Sequence, residues 1–215
     1  LWYIIITIER SLIMRIGLVP ISAKPYHSGH DALVNMASRN NDAVFIYVSL
    51  SDRIRKGEYP IKGWQMEKVW MEELLKIMPD NVEVIFGGSP VRNIYEYIDD
   101  ANQESSEDII TIYSDVRDTR NNYSMSARIR YMGEMYQNNQ IRFAAEENPE
   151  GLERGIGTPD ISGTEMRTYL ERKNKTAFVE NLPGGINKEN VWNILSQESK
   201  KEEEVNLPPL PPSSF

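Results

Sequence analysis

The hexapeptide Pro25-Tyr26-His27-Ser28-Gly29-His30 carries both histidines of this 215-residue chain. It follows the apolar run Ile16-Gly17-Leu18-Val19 and precedes Asp31-Ala32-Leu33-Val34-Asn35-Met36-Ala37, which predicts a strand, a tight polar turn and an amphipathic helix. A helix that starts near Gly29 directs free backbone N–H groups and its positive dipole end across the turn. Two imidazole donors beside that terminus form a site for phosphate, and Gly29 allows a bulky anion to approach the backbone.

The segments around this turn alternate between strand-like and helix-like patterns, which predicts an α/β fold. We expect a doubly wound, Rossmann-like domain with a parallel sheet of about five strands. Strands are predicted at residues 16–19, 43–48, 82–86, 108–113 and 141–144. Helices are predicted at residues 31–40, 64–78, 91–98, 162–173 and 187–195, with an acidic loop at 99–107, a turn at 177–185 and a weakly periodic short helix or lid at 117–140.

The composition of the chain argues against several classes of protein. The net charge of −8 argues against a protein that coats nucleic acid, since the phosphate backbone demands a basic surface. The absence of cysteine excludes disulfides, thiol nucleophiles and cysteine-based zinc sites, and it fits a cytoplasmic location. No apolar run reaches the length of roughly 18 residues that a membrane-spanning helix needs, so no membrane partner is expected.

The two ends of the chain differ in composition from the segment between them. Met14 is a candidate initiator, which would make residues 1–13 an upstream extension; an ordinary N-terminal strand or helix is the alternative. Residues 196–215 are charged and then proline-rich, which predicts a disordered tail. The predicted domain therefore covers residues 14–195.

Two motifs carry a resemblance to a known family. The hexapeptide resembles the P-[FY]-H-x-G-H signature of the HxGH nucleotidyltransferase (cytidylyltransferase-like) superfamily. Ile161-Ser162-Gly163-Thr164-Glu165-Met166-Arg167 resembles the second motif of that superfamily, [IY]-S-[GST]-T-x-x-R. Its wording is most similar to archaeal-type nicotinamide-mononucleotide adenylyltransferases. The resemblance spans roughly residues 14–195 and rests on both motifs occurring in this order.

The resemblance implies that an acceptor phosphate oxygen attacks the α-phosphorus of a nucleoside triphosphate and releases pyrophosphate. ATP and nicotinamide mononucleotide are the substrates to try first, with Mg²⁺ carried by the triphosphate and no metal site on the protein. Catalytic roles fall on His27, His30 and Arg167. Nucleotide-binding roles fall on Lys24, Gly29, Asp115, Ser162, Gly163 and Thr164. Lys24 stands where archaeal-type relatives usually have Gln, which leaves the acceptor open.

Three further arginines are candidates for binding the acceptor. Arg53 and Arg55 lie in the basic loop after the second predicted strand, where ligands bind in open parallel sheets; a solvated loop is the alternative. Arg92 lies beside a predicted helix N-terminus that Ser89 and Pro90 begin, where simple capping is the alternative. Asp115 likewise is predicted to cap the turn that follows the fourth strand.

Other functions remain open at this stage. A cytidylyltransferase acting on a phosphorylated alcohol or sugar is the nearest alternative, and a non-catalytic nucleotide-binding protein of the same fold is another. An aminoacyl-tRNA synthetase is disfavoured because the chain lacks a lysine-rich K-M-S-K-S loop. A zinc site is disfavoured because there is no third histidine. The oligomeric state stays undetermined.

Overall fold

The computed structural model describes residues 13–197, so most of the proposed upstream extension and tail lies outside the described residues. Five parallel strands form one sheet in the order β3-β2-β1-β4-β5. The strands are β1 (Arg15–Ile21), β2 (Ala43–Val48), β3 (Val82–Phe86), β4 (Ile109–Ile112) and β5 (Ile141–Phe143). The predicted α/β class and the parallel, doubly wound sheet are confirmed.

Ten α-helices connect and flank these strands within the described residues. They are α1 (Ser28–Asn40), α2 (Gly63–Val69), α3 (Pro90–Gln103), α4 (Val116–Asn122), α5 (Met125–Tyr131), α6 (Gly133–Gln137), α7 (Ala144–Glu147), α8 (Gly163–Glu171), α9 (Lys175–Glu180) and α10 (Lys188–Ser196). Along residues 13–197, no helix combines the length and the apolar content needed to cross a bilayer.

Two apolar cores lie on opposite faces of the sheet, because successive side chains of each strand point to opposite faces. Val19 and Ile46 belong to the core that α1, α2 and α8–α10 cover. Leu18 and Tyr47 belong to the core that α3 and α6 cover. Burial on both faces explains the nearly continuous apolar runs of the strands.

The strand order reverses beside β1. The chain moves outward from β1 through β2 to β3, then crosses back so that β4 pairs with the other edge of β1. In open α/β sheets, ligands bind at such a switch point, outside the carboxyl ends of the strands. The hexapeptide follows β1, and Ser114-Asp115 follows β4. The topology therefore places both segments at the expected ligand edge.

Three predicted boundaries are wrong. The supposed acidic loop at 99–107 is helical as far as Gln103, because Asp99 and Asp100 lie on the exposed side of α3 while Ile94 and Ile98 are buried. The supposed turn at 177–185 begins with helix α9, whose Phe178 is fully buried. The single long helix predicted at 64–78 widens into a π-helical segment at Trp70–Leu74 and then a 3₁₀ turn.

Candidate active site

His27 and His30 lie side by side at the first turn of α1. His27 is the N-cap residue, and its Nδ1 accepts a hydrogen bond from the Gly29 N–H at 3.2 Å. Because Nδ1 is an acceptor, the neutral ring carries its hydrogen on Nε2. The two imidazole centroids are 3.8 Å apart, and His30 also stacks on the buried Tyr26 ring at 5.4 Å.

Both histidines are held neutral in the folded protein. Burial, the neighbouring His30 and the charge of Arg154 lower the pKa of His27 far below its usual range. Burial and Arg154 lower the pKa of His30 to about 3. The buried Nδ1 of His30 has no hydrogen-bond partner among the described residues, and an unsatisfied buried polar atom is rare enough to suggest a ligand. Each ring can therefore contribute a neutral donor to an anion.

Gly29 is required here for space around His27. A Cβ added at Gly29 would lie 3.1 Å from two atoms of the His27 ring and 3.6 Å from the Ile161 side chain. The glycine therefore lets the imidazole fold back over the helix terminus. It also lines a cavity shared with His27 and His30.

The second motif meets the first through Arg167. Its Nη1 donates to the Lys24 carbonyl oxygen at 2.7 Å, and its Nη2 donates to Thr164 Oγ1 at 3.0 Å. Arg167 is only 5% exposed, and Glu58 pairs with Nη2 at 3.1 Å. A Cβ at Gly163 would lie 3.3 Å from Arg167 Nη1 and 3.4 Å from the Lys24 carbonyl. The glycine thus permits the close approach of the two motifs.

Ser162 and Lys24 are both tied into this contact region. Ser162 is the N-cap of α8: its Oγ accepts from the Glu165 N–H and donates to the Glu165 carboxylate. The Lys24 ammonium donates to Ser49 and Ser51, at 3.3 and 2.9 Å. Burial and the charge of Arg53 lower the pKa of Lys24. Serine hydroxyls rather than carboxylates hold this lysine, so its charge remains available to an anion.

Two adjoining cavities open at this place. The smaller, about 300 Å³, is lined by His27, Gly29, His30, Asp115, Asn122 and Arg154 together with apolar side chains that include Leu33, Leu152 and Ile161. The larger cleft, about 1110 Å³, also contains His27 and His30 in its lining. Six basic side chains line it against two acidic ones: Lys24, Arg53, Arg55, Arg117, Arg154 and Arg167 against Asp52 and Asp118. The cleft is therefore locally basic in an acidic chain.

The structure brings nearly all predicted site residues to these two cavities. Ser162, Gly163 and Thr164 line the larger cleft, and Asp115 lines the smaller cavity. As predicted, Asp115 also caps a helix, since its carboxylate accepts the Asp118 N–H at 2.7 Å. Arg92 lies elsewhere: it pairs with Glu96 at 2.7 Å and lines a separate groove beside α3.

Arg154 belongs to the site, although no sequence motif contains it. It lines both cavities, and its guanidinium pairs with Asp115 at 2.6 Å. It lies in the loop between β5 and α8, where the sequence shows only a glycine-containing polar stretch. Asp118 and Arg117 reach the larger cleft from α4, within a segment whose weak periodicity concealed its helices.

Residues 49–62 form a loop that its own hydrogen bonds close, although most of residues 51–60 are exposed. The backbones of Arg53 and Ile61 exchange two hydrogen bonds, at 2.7 and 3.0 Å. The Asp52 carboxylate accepts the Gly63 N–H at 2.8 Å and pairs with Lys62 at 2.9 Å. These contacts direct Arg53 and Arg55 to the cleft that holds the two motifs.

Comparison with known proteins gives no assignment of its own. No protein-family model matches the chain, and no curated protein matches it significantly. The functional interpretation therefore depends on the geometry of the site and on the two motifs.

Proposed function

We propose that this protein is a nucleotidyltransferase that transfers AMP from ATP to a phosphorylated acceptor such as nicotinamide mononucleotide, with release of pyrophosphate. One observation carries the proposal: Lys24–His30 and Ser162–Arg167 line the same cleft at the switch point of the sheet. These are the two segments on which the resemblance to the HxGH nucleotidyltransferases depends. Convergence of segments so far apart in sequence is a stronger argument than either short motif alone.

The histidines fit a role as phosphate donors. A neutral imidazole donates one hydrogen bond without first binding a proton, and both rings are neutral at physiological pH because of their lowered pKa values. As negative charge develops on the leaving pyrophosphate, these donors would hold phosphate oxygens already in place. Preorganised donors of this kind supply a large part of the stabilisation of charged transition states.

The basic cleft fits a polyphosphate. Lys24, Arg154 and Arg167 line it beside the histidines, and fixed cations near transferring phosphoryl groups neutralise the charge that accumulates there. The acceptor phosphate oxygen is itself the nucleophile, so the reaction needs no protein nucleophile. Arg53 and Arg55 would meet the second phosphorylated substrate from the loop at the same cleft.

The smaller cavity fits an uncharged ring system. Its volume of about 300 Å³ lies at the lower end of ligand pockets, which span roughly 300–1,000 Å³. Leu33, Leu152 and Ile161 give it apolar walls, while Asn122 and Thr158 supply hydrogen-bonding groups. In the proposal, this cavity holds the base of the nucleotide whose phosphates extend into the larger cleft.

Mg²⁺ fits the proposal as an ion bound by the triphosphate. Among residues 13–197, no three carboxylates or histidines gather as a potential metal site. Asp52 and Asp118 line the cleft singly and could meet the outer shell of such an ion. When bound, Mg²⁺ would supply charge neutralisation on the phosphate oxygens.

The test is pyrophosphate release with Mg²⁺ and each of ATP, CTP, GTP and UTP, against acceptors that include nicotinamide mononucleotide and phosphorylated alcohols and sugars. We expect release with ATP and one acceptor, and its loss in His30→Ala. Arg142→Ala is the control, because Arg142 forms only an exposed pair with Glu147 at 3.8 Å. Release with CTP alone would favour the cytidylyltransferase alternative. Absence of release and of calorimetric nucleotide binding would reject the proposal.

A further inference from the structure

Glu58 joins two arginines that come from distant parts of the chain. Its Oε2 accepts from Arg53 Nε at 2.8 Å and pairs with Arg167 Nη2 at 3.1 Å, while its Oε1 accepts from Arg53 Nη2 at 3.0 Å. One carboxylate therefore holds the guanidinium of the basic loop and that of the second motif. Bidentate arginine–carboxylate pairs are geometrically specific, so the Arg53 guanidinium takes a defined orientation, and Arg167 is held by Glu58 together with the Lys24 carbonyl and Thr164.

The carboxylate lies outside the lining of the cleft to which both arginines belong. Arg53 and Arg167 both line the larger cleft, but Glu58 is not part of its lining. Glu58 is also only 24% exposed in its side chain. A carboxylate in this position does not compete directly for a ligand in the cleft, and it reaches the ligand only through the arginines.

The hydrogen bonds leave donors for a ligand. Glu58 occupies Nε and Nη2 of Arg53, so that Nη1 has no partner among residues 13–197. Arg167 uses one hydrogen of Nη1 for the Lys24 carbonyl and one hydrogen of Nη2 for Thr164, and Nη2 forms an ion pair with Glu58. The second hydrogen of Arg167 Nη1 remains, and the buried Nε–H of Arg167 has no partner among residues 13–197. Each guanidinium thus keeps a donor while its plane is fixed by the carboxylate.

Repulsion between the arginines makes such a carboxylate necessary. Burial lowers the pKa of Arg167, the charges of Arg53 and Arg55 act in the same direction, and Glu58 acts in the opposite direction. Without Glu58, two guanidiniums near each other and partly removed from water would separate or turn toward solvent. With it, both can face one anion.

We propose that Glu58 is a positioning residue that holds Arg53 and Arg167 as one paired site for a phosphate group in the cleft. The inference rests on the proposed function only for the identity of the phosphate, and it adds a residue that the two motifs do not contain. The proposal also assigns a role to the loop at residues 49–62. This loop supplies the Arg53 cation and the Glu58 carboxylate, which orients Arg167 of the second motif.

The experiment measures binding of Mg²⁺-pyrophosphate by calorimetry to wild type, Glu58→Gln, Glu58→Asp and the control Glu96→Gln. Glu96 is matched because it forms an arginine pair of 2.7 Å with Arg92 outside the cleft. We expect Glu58→Gln to bind about tenfold more weakly, as loss of one charge-assisted contact implies. Glu58→Asp keeps the charge and should recover part of this loss, and Glu96→Gln should bind as wild type does.

The direction in which Glu58→Gln changes anion affinity distinguishes a positioning role from a general effect of charge. Removing a carboxylate near a basic cleft should tighten anion binding by bulk electrostatics, so unchanged or tighter binding by Glu58→Gln would overturn the inference. Adenosine, which lacks phosphate, is the second ligand: its affinity should be unchanged in Glu58→Gln, and a parallel loss would show general damage and also overturn the inference. If wild type binds neither pyrophosphate nor ATP, the proposed function itself fails, and the inference fails with it.

Discussion

Arg167 Nη1 donates to the backbone carbonyl of Lys24 at 2.7 Å, joining two segments that lie 143 residues apart in the chain. The contact fixes the start of α8 against the turn that precedes α1. Because both partners are buried, neither can exchange this hydrogen bond for one with water. The relative position of the two motif segments therefore depends on the fork of this guanidinium.

Replacing Arg167 by Lys should impair both activity and stability. Lysine keeps the positive charge but cannot reach the Lys24 carbonyl, Thr164 and Glu58 together, since it lacks the planar fork. We expect kcat/KM to fall about 100-fold. The free energy of unfolding in urea should fall by about 1–3 kcal/mol, because buried acceptors lose their donor. Arg142→Lys, at an exposed pair, is the control. A near-normal kcat/KM in Arg167→Lys would contradict the assigned role.

Gly29→Ala should lower the activity while the free energy of unfolding stays nearly unchanged. The new Cβ would lie 3.1 Å from the His27 ring, so the imidazole must move, and we expect kcat/KM to fall about tenfold or more. The free energy of unfolding should change by less than about 1 kcal/mol, since alanine is the better helix former and partly offsets the crowding. Gly184→Ala is the matched control, because its Cβ would meet nothing within 4 Å. Equal activity in both variants would show that the His27 position is not critical.

The two histidines should make the protein less stable as the pH falls below about 6.5. Their pKa values are lowered in the folded state, to about 3 for His30. The unfolded chain therefore binds protons that the folded protein excludes, and each histidine can remove up to about 1.4 kcal/mol of unfolding free energy per pH unit below that point. Urea unfolding at several pH values between 5 and 7.5 measures this slope, above the range where most carboxylates titrate.

His30→Gln is the control for this pH dependence. It retains a polar group of similar size but cannot titrate, so the slope of unfolding free energy against pH should be reduced by about half. Proton NMR provides an independent measurement, because the chain contains two histidines and their ring signals are easily assigned. In the ligand-free protein, the chemical shifts of both histidine rings should stay constant between pH 8 and 5.5. Titration with a midpoint near 6.5 would contradict the buried, neutral state.

Arg154→Gln should weaken binding of pyrophosphate. Arg154 lines both cavities and lies close enough to lower the pKa of both histidines, so it belongs to the field that an anion experiences. We expect an approximately tenfold increase in Kd, by calorimetry in Mg²⁺. Removal of this charge should also move the pKa of His30 upward. Arg142→Gln serves as the comparison, and equal affinities in the two variants would exclude Arg154 from the phosphate site.

Local sequence patterns were sufficient for most of the fold. The run Ala43–Val48 is apolar without interruption, as expected of a strand buried on both faces, and Val82–Phe86 is interrupted only by the exposed Glu83 of an edge strand. Both strands have the predicted bounds. The predicted α3 is too short, because Asp99 and Asp100 favour a loop on local composition alone although the helix continues to Gln103. Burial of Ile94 and Ile98 on its inner face, rather than overall polarity, decides that this segment is helical.

The candidate site likewise contains residues that local sequence predicts and residues that only the fold brings in. The close spacing of His27, Gly29 and His30 in the sequence is sufficient to predict that they share one site, because a turn followed directly by a helix start places neighbouring residues at one terminus. Arg154 has no local signal, since its partner Asp115 is distant in sequence. Glu58 pairs locally with Arg53, but its contact with Arg167 is formed only by the fold. Arg92 was selected for its place beside a helix N-terminus, but α3 directs it to a different groove.

The sequence by itself determined the alternation of strands and helices, the turn and helix start at Pro25–His30, and the cap that begins α8, because each depends on hydrogen bonds and side-chain periodicity within a few residues. Only the tertiary structure decided that the two motifs meet, that Glu58 contacts both Arg53 and Arg167, and that burial holds both histidines neutral. These features depend on desolvation and on charges brought together across the sheet. A local sequence pattern specifies neither the desolvation nor these long-range charges.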